Sequence, residues 1–248
     1  MVKQVHAVFF SPTGNTRKSV EAMAGALAEN FEVHDVTLNA PAEEKIFGRD
    51  DVVIFGAPVY GGRIPAVARE RLTKFRGEGT RCLTVVTFGN RDFDDALLEL
   101  ADLSKGQGFV VTGGAAVVGR HTYGSIQVDR PDAADLAADR DFALKAAAQA
   151  EIETAIPGNR PYKSGGLGGK FRPKTAENCI DCGLCVKFCP VQAVGADCRT
   201  IDDRCLACFR CIRICPVHAK NMDTEEYRTF AQMFSEKLKE RRENQYFL

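Results

Sequence analysis

At 248 residues, 45% hydrophobic and 27% charged, the chain has room for one large domain or two ordinary ones, with the balance of a soluble globular protein. No run approaches eighteen apolar residues, which excludes a membrane-spanning helix. The opening Met1-Val2-Lys3-Gln4-Val5-His6 lacks a cleavable small-residue site, so a cytoplasmic protein is expected.

Strand and helix signals alternate through the first part of the chain. Val5–Phe10 is a short apolar run, and Thr16–Glu29 is rich in helix formers. Phe31–Leu38 alternates apolar and polar residues, the pattern of a strand near a sheet edge. Asp51–Gly56 is apolar almost throughout, as in a buried parallel strand. Pro65 opens a helix reaching about Phe75. Leu83–Phe88 is a fourth strand, Asp94–Leu103 a helix, and Phe109–Val118 a fifth strand interrupted at Gly113-Gly114. Pro131 opens a long alanine-rich helix ending near Ile156. The alternation predicts an α/β fold with a doubly wound, five-stranded parallel sheet. Ligands of such sheets sit beyond the carboxyl ends of the strands.

Pro157–Pro161 and Gly165–Gly169 are turn-forming, so residues 158–170 are expected to be a flexible linker. Near the carboxyl end, Thr224–Arg242 has an amphipathic stripe: Tyr227, Phe230, Ala231, Phe234 and Leu238 recur at spacings of three and four. The stripe is expected to pack on its own protein.

Nine of the ten cysteines lie between Cys179 and Cys215. Eight form two runs, Cys179-x-x-Cys182-x-x-Cys185-x-x-x-Cys189-Pro190 and Cys205-x-x-Cys208-x-x-Cys211-x-x-x-Cys215-Pro216. This is the bacterial run that holds [4Fe–4S] clusters in pairs, in which the fourth cysteine of each run ligates the other cluster. One cluster is therefore expected on Cys179, Cys182, Cys185 and Cys215, the other on Cys205, Cys208, Cys211 and Cys189. A zinc ribbon needs two Cys-x-x-Cys pairs and would leave four cysteines idle. Disulfides suit neither the short loops nor a reducing compartment. Cys82 and Cys198 lie outside the runs and read as small buried hydrophobes. Residues 158–248 hold sixteen Lys and Arg against eleven Asp and Glu. The negative charge of two thiolate-bound clusters offsets that excess, so nucleic acid is not an expected partner.

Three loops follow strands on one edge of the predicted sheet. The first, Ser11-Pro12-Thr13-Gly14-Asn15-Thr16, has three hydroxyl residues, a turn glycine and a helix N-terminus. Such a loop binds a phosphate dianion, although an ordinary helix cap is the alternative. It matches neither the Walker A loop nor Gly-x-Gly-x-x-Gly. The others, Ala57–Pro65 and Thr87–Asp94, combine glycine with aromatic residues suited to a flat ring. His121, in the loop after the fifth strand, either contacts that ligand or is a plain loop histidine.

Together these motifs resemble the flavodoxin–ferredoxin fusion proteins of anaerobic bacteria and archaea. Residues 1–157 resemble the flavodoxin half and 171–222 a small α+β two-cluster ferredoxin module, with 223–248 a closing helix. The resemblance implies FMN, its phosphate on Ser11, Thr13, Gly14, Asn15 and Thr16. It implies a ring faced by Pro58, Val59, Tyr60, Gly61 and Gly62 and by Thr87, Phe88, Gly89, Asn90 and Arg91. Gly61 or Gly62 would adjust its peptide beside the ring. The chain departs from stand-alone flavodoxins in having no Trp and no strongly acidic surface.

The implied function is an electron carrier between FMN, two [4Fe–4S] clusters and redox partner proteins. The alternative is an FMN-dependent oxidoreductase acting on a small substrate. No acid/base pair stands out in the loops to favour it.

Overall fold

The structure, a computed structural model, describes residues 2–248. Its first half winds β1 (Gln4–Phe9), α1 (Asn15–Leu27), β2 (Glu32–Asp35), β3 (Lys45–Phe47), β4 (Asp51–Pro58), α2 (Ala66–Leu72), β5 (Phe75–Gly77), β6 (Thr80–Phe88), α3 (Ala96–Gly106), β7 (Phe109–Val118) and α4 (Ala133–Ala148). The second half is irregular. It holds β8 (Lys174–Thr175), α5 (Leu184–Lys187), α6 (Arg210–Arg213), β9 (Lys220–Asn221), α7 (Glu225–Lys237) and β10 (Gln245–Phe247).

The main sheet has the order β10-β7-β6-β4-β1-β2. Its five parallel strands run 2-1-3-4-5 when counted among themselves, the flavodoxin-like order. Alternation along each strand feeds two cores. Val5, Ala7 and Phe9 of β1 pack under α1 and α4, while Val8 and Phe10 face the opposite layer with Phe55, Leu97 and Leu100. Gly56 lets α1 close on the sheet, because a Cβ there would collide with Val20 and Thr16. β3 and β5 form a separate parallel pair that the sequence pattern did not suggest.

Three expectations need correction. The sheet is six-stranded, because β10 pairs antiparallel with β7, Tyr246 opposite Ala115. The segment 223–248 is therefore not one closing helix: α7 stops at Lys237 and the chain returns to the sheet. Nor is 158–170 a free tether. The Asp95 carboxylate accepts the Asn159 and Lys163 backbone N–H groups at 2.8 and 2.7 Å. Arg160 and Tyr162 both donate to Asp102, and Gly166 N–H donates to the Tyr60 carbonyl at 2.8 Å. Turn residues without side chains can still be fixed when their backbone groups find partners, as these do. The predicted alanine-rich helix ends at Ala148, and Ile152 and Ile156 beyond it pack on the core.

The tail is latched by charge. Buried Arg130 pairs with buried Asp135 at the start of α4 and donates to the Arg242 carbonyl. Arg241 reaches Asp132 and Asp135. The stripe on α7 packs inward as expected: Tyr227, Phe230 and Phe234 meet Tyr123 and His121 of the loop after β7, together with Phe171 and Phe209 of the cysteine-rich half.

Candidate functional site

The carboxyl ends of β1, β4, β6 and β7 converge on one cavity. One end is a helix N-terminus without a side-chain cap. Gly14 is the N-cap residue of α1, at φ 89°, a left-handed conformation that favours glycine. Ser11 is held by Thr37, and its hydroxyl accepts from Arg17 N–H at 3.0 Å. The backbone N–H groups of Thr13, Asn15 and Thr16 make no hydrogen bond within the described residues. No acidic residue occupies the first turn of α1. Three free donors and the positive end of a helix dipole fit a phosphate.

The other end is built by the loops after β4 and β6. Val59 N–H donates to the Thr87 carbonyl at 2.9 Å, drawing the β4 and β6 loops together. Tyr60 and Arg63 exchange backbone bonds around a turn in which Gly61 and Gly62 both take positive φ. Gly62 lies against Asp94 and Gly61 beside Gly165, so neither offers an open face to the first cavity. The Thr87 hydroxyl is buried without a partner and lines the cavity, an orphan suited to a polar group of a bound ring. Gly89 leaves room for His121, whose ring a Cβ would strike. Burial pushes His121 down to about 4, so the ring is neutral; its Nδ1 accepts from Tyr123 N–H at 2.8 Å. A helix end with free N–H groups, an orphan hydroxyl and close-set loops in one cavity fit FMN.

Of the expected residues, Ser11, Thr13, Asn15, Thr16, Pro58, Val59, Tyr60, Thr87, Phe88 and Gly89 line this cavity. Asn90 and Arg91 do not. The Asn90 side chain donates to the Leu238 and Glu240 carbonyls at 2.8 and 2.7 Å and accepts from Arg242 N–H. Arg91 pairs with Asp94 at the surface. Physically, the Asn90 amide was claimed by the tail, which sequence spacing does not reveal. The Gly119–Thr122 loop lines the cavity unannounced except for His121. Its glycine was the available signal: a Cβ at Gly119 would collide with Thr87 and Asn15.

The cysteine-rich half repeats itself. Left-handed backbone recurs at Asp181 and Ala207, Gly183 and Phe209, and Gln192 and His218, each pair 26 residues apart like the cysteines themselves. α5 and α6 occupy matching places. Such turns aim N–H groups at sulfur. Ala193 N–H donates to Cys189 at 3.3 Å, Ala207 N–H to Cys205 at 3.4 Å and Lys220 N–H to Cys215 at 3.5 Å. Cys189 lies among Cys205, Cys208 and Cys211, close enough to act on each. Burial pushes Cys208 and Cys211 up to about 12, and the neighbouring thiolates add to it. Thiols clustered in this way ionise together only around a cationic core, which an iron–sulfur cluster supplies. Cys198 is buried beside Cys185, and Cys82 is buried in the sheet, both as expected.

The two halves touch beside this cavity. Leu206 and Ala207, between Cys205 and Cys208, line a second cavity with Val59, Tyr60, Gly61 and Tyr123. Burial raises the Tyr60 hydroxyl, and Cys208 is the first of its charged neighbours. Arg210 donates to the Pro12 carbonyl of the phosphate-type loop at 2.7 Å.

A flavodoxin-domain family model matches residues 7–81, and two 4Fe-4S binding-domain models match 173–194 and 202–223. No curated protein matches the chain. Among solved structures, a flavodoxin from the domain Archaea shares 13% identity over 59% of this chain and 98% of its own, with a TM-score of 0.42. Oxidised flavodoxin 2 from Bacillus cereus shares 15% over 58% and 97%, TM-score 0.45. Rubredoxin oxygen:oxidoreductase from Desulfovibrio gigas shares 17% over 58% of this chain and 35% of its own, TM-score 0.40.

The matched segments define an electron-transfer protein in which a flavodoxin domain precedes two 4Fe–4S binding segments. Its cofactors are FMN and two [4Fe–4S] clusters. No helix among the described residues is long and apolar enough to cross a membrane.

Proposed function

We propose that the chain relays electrons between FMN and its two [4Fe–4S] clusters, and onward to redox partner proteins. The observation that carries the reading is the shared wall: Leu206 and Ala207 of the second cysteine run line the second cavity with Val59 and Tyr60, which also line the flavin cavity beside it. FMN and the clusters supply the redox chemistry, and the chain binds, orients and excludes water.

In this reading Thr13, Gly14, Asn15 and Thr16 hold the flavin phosphate, with Ser11 fixing the loop. Pro58, Val59, Tyr60, Thr87, Phe88 and Gly89 bound the ring, Gly61 and Gly62 shape the turn beside it, and Asn90 and Arg91 leave the set. One cluster takes Cys179, Cys182, Cys185 and Cys215. The other takes Cys205, Cys208, Cys211 and Cys189 and is the nearer to the flavin, because its loop forms the shared wall. Residues 1–157 form the flavin half and 171–222 the cluster half, with 158–170 a packed connection and 223–248 a latch across both. A cytoplasmic location belongs to this reading, since a reducing compartment keeps cysteines available to iron.

Rapid-mixing spectroscopy tests the relay. With the clusters reduced first, flavin absorbance is followed at several protein dilutions. A first-order rate independent of concentration is expected, because the halves are docked. A rate falling in proportion to dilution means exchange between molecules and overturns the proposal.

A further inference from the structure

Away from the cavity, at the β2 edge of the sheet, three metal-ligating side chains converge. β1 and β2 run parallel with His6 opposite Glu32 and Val8 opposite His34. The period of two puts Glu32 and His34 on one face of β2, the face His6 shares. His6 Nδ1 lies 3.3 Å from His34 Nε2 and 3.4 Å from a Glu32 carboxylate oxygen. His34 Nε2 lies 3.5 Å from the other Glu32 oxygen.

We propose that His6, Glu32 and His34 form a binding site for a divalent transition metal of the zinc class, with water in the fourth position. The spacing of the donor atoms decides the geometry. Zinc takes His nitrogen and carboxylate oxygen at about 2.0–2.1 Å in a tetrahedron, which sets ligand atoms about 3.4 Å apart; octahedral cis positions at the same bond length lie about 3.0 Å apart. The nitrogen pair at 3.3 Å, and the 3.4 and 3.5 Å from each nitrogen to its own Glu32 oxygen, match the tetrahedral spacing. Hydrogen bonding alone does not account for the cluster. The two facing ring nitrogens carry at most two protons and the ionised carboxylate none, so at most two of the three edges are bonded. A cation satisfies all three.

The surroundings suit a metal ligand set. Burial lowers both histidines, so the imidazoles are neutral and free to coordinate at neutral pH. His6 packs on Phe47 at 4.6 Å and His34 on Phe75 at 5.6 Å, fixing both rings. Glu32 is half exposed and leaves the site open to solvent. Lys45 is the one opposing charge among the groups acting on the pair, with Asp51 acting the other way on His6. A bound ion would tie the four-residue edge strand β2 to β1.

The test uses the full chain with flavin and clusters in place, under anaerobic conditions, so that the cysteines are already ligated. Zinc is added, excess is removed, and zinc-edge X-ray absorption and metal content are read. One zinc per chain with a nitrogen and oxygen shell is expected. Glu32→Gln, at an exposed position, and His34→Gln should each lower zinc affinity by roughly 100-fold or more, with iron and flavin content unchanged. No bound zinc, a sulfur shell, or undiminished binding in Glu32→Gln overturns the site. If His34→Gln loses its flavin, the Glu32→Gln result decides.

Discussion

Residues 4–118 bury Val5, Ala7, Phe9 and Val20 on one face of the sheet and Val8, Phe10, Phe55 and Leu97 on the other. Residues 171–222 bury little beyond Phe171, Ala207, Phe209 and Met222, with Val194 between two cysteines. Their helices are four residues long and their strands two. The first half reaches a stable core from side chains alone. The second is too small and too poor in apolar area to do so, and metal–thiolate bonds take the place of a core. The difference shows why one half is legible through hydrophobic period and the other through cysteine spacing.

Removing one cysteine ligand should separate the halves most sharply. In Cys208→Ala, iron is expected to fall from about eight to about four per chain. Hydrogen exchange should rise across 203–222 while 4–118 stays protected. Unchanged iron, or exchange rising in both halves alike, would remove the distinction. Next in size is the phosphate end of the flavin site. Thr13→Ala combined with Thr16→Ala should weaken FMN binding by about 3 kcal/mol, roughly 100-fold, each change removing a bond to a charged phosphate. Fluorescence titration reads the loss, and the flavin released from the native protein should chromatograph as FMN. An unchanged dissociation constant, or released FAD, contradicts the site.

Asn90→Ala sharpens the comparison, because Asn90 belongs to the latch between the halves and not to the ring wall. Losing its bonds to Leu238, Glu240 and Arg242 should cost about 1–3 kcal/mol in denaturant unfolding. FMN affinity should change less than about threefold, and a larger loss would return Asn90 to the ring wall. The smallest effect concerns Asp139, where Tyr246 of β10 meets α4 at 2.8 Å. Burial pushes Asp139 up to about 6, and the Tyr246 bond only partly opposes it. The folded state therefore holds a proton that the unfolded chain releases near pH 4. That contribution is fully present below about pH 4 and is lost as pH rises through about 6. Relative to Asp139→Asn, the native protein should lose about 1 kcal/mol of stability between pH 5 and 7. A constant difference, read by denaturant unfolding of both proteins, would contradict the shift.

Much of the fold was legible because the signals were local. The apolar runs at Val5–Phe10 and Asp51–Gly56 marked buried parallel strands, and the 26-residue repeat of cysteines marked the cluster half. What escaped was long-range. Gln245–Phe247 is a strand only because β7 offers a free edge. Gly165 and Gly166 are ordered only because the Tyr60–Arg63 turn receives them. Asn90 looked like a ligand residue until the tail, some 150 positions later, took its amide. The wall supplied by Leu206 and Ala207 had no signal at all, since apolar residues between cluster cysteines also serve to exclude water.

That wall is the central claim, and hydrogen exchange on the cluster-loaded protein with and without FMN tests it most directly. Adding FMN should protect residues 13–18, 58–62 and 119–123, and with them 205–209 in the second cysteine run. Protection confined to the sheet-edge loops, with 205–209 unchanged, would show that the cluster half does not wall the flavin site.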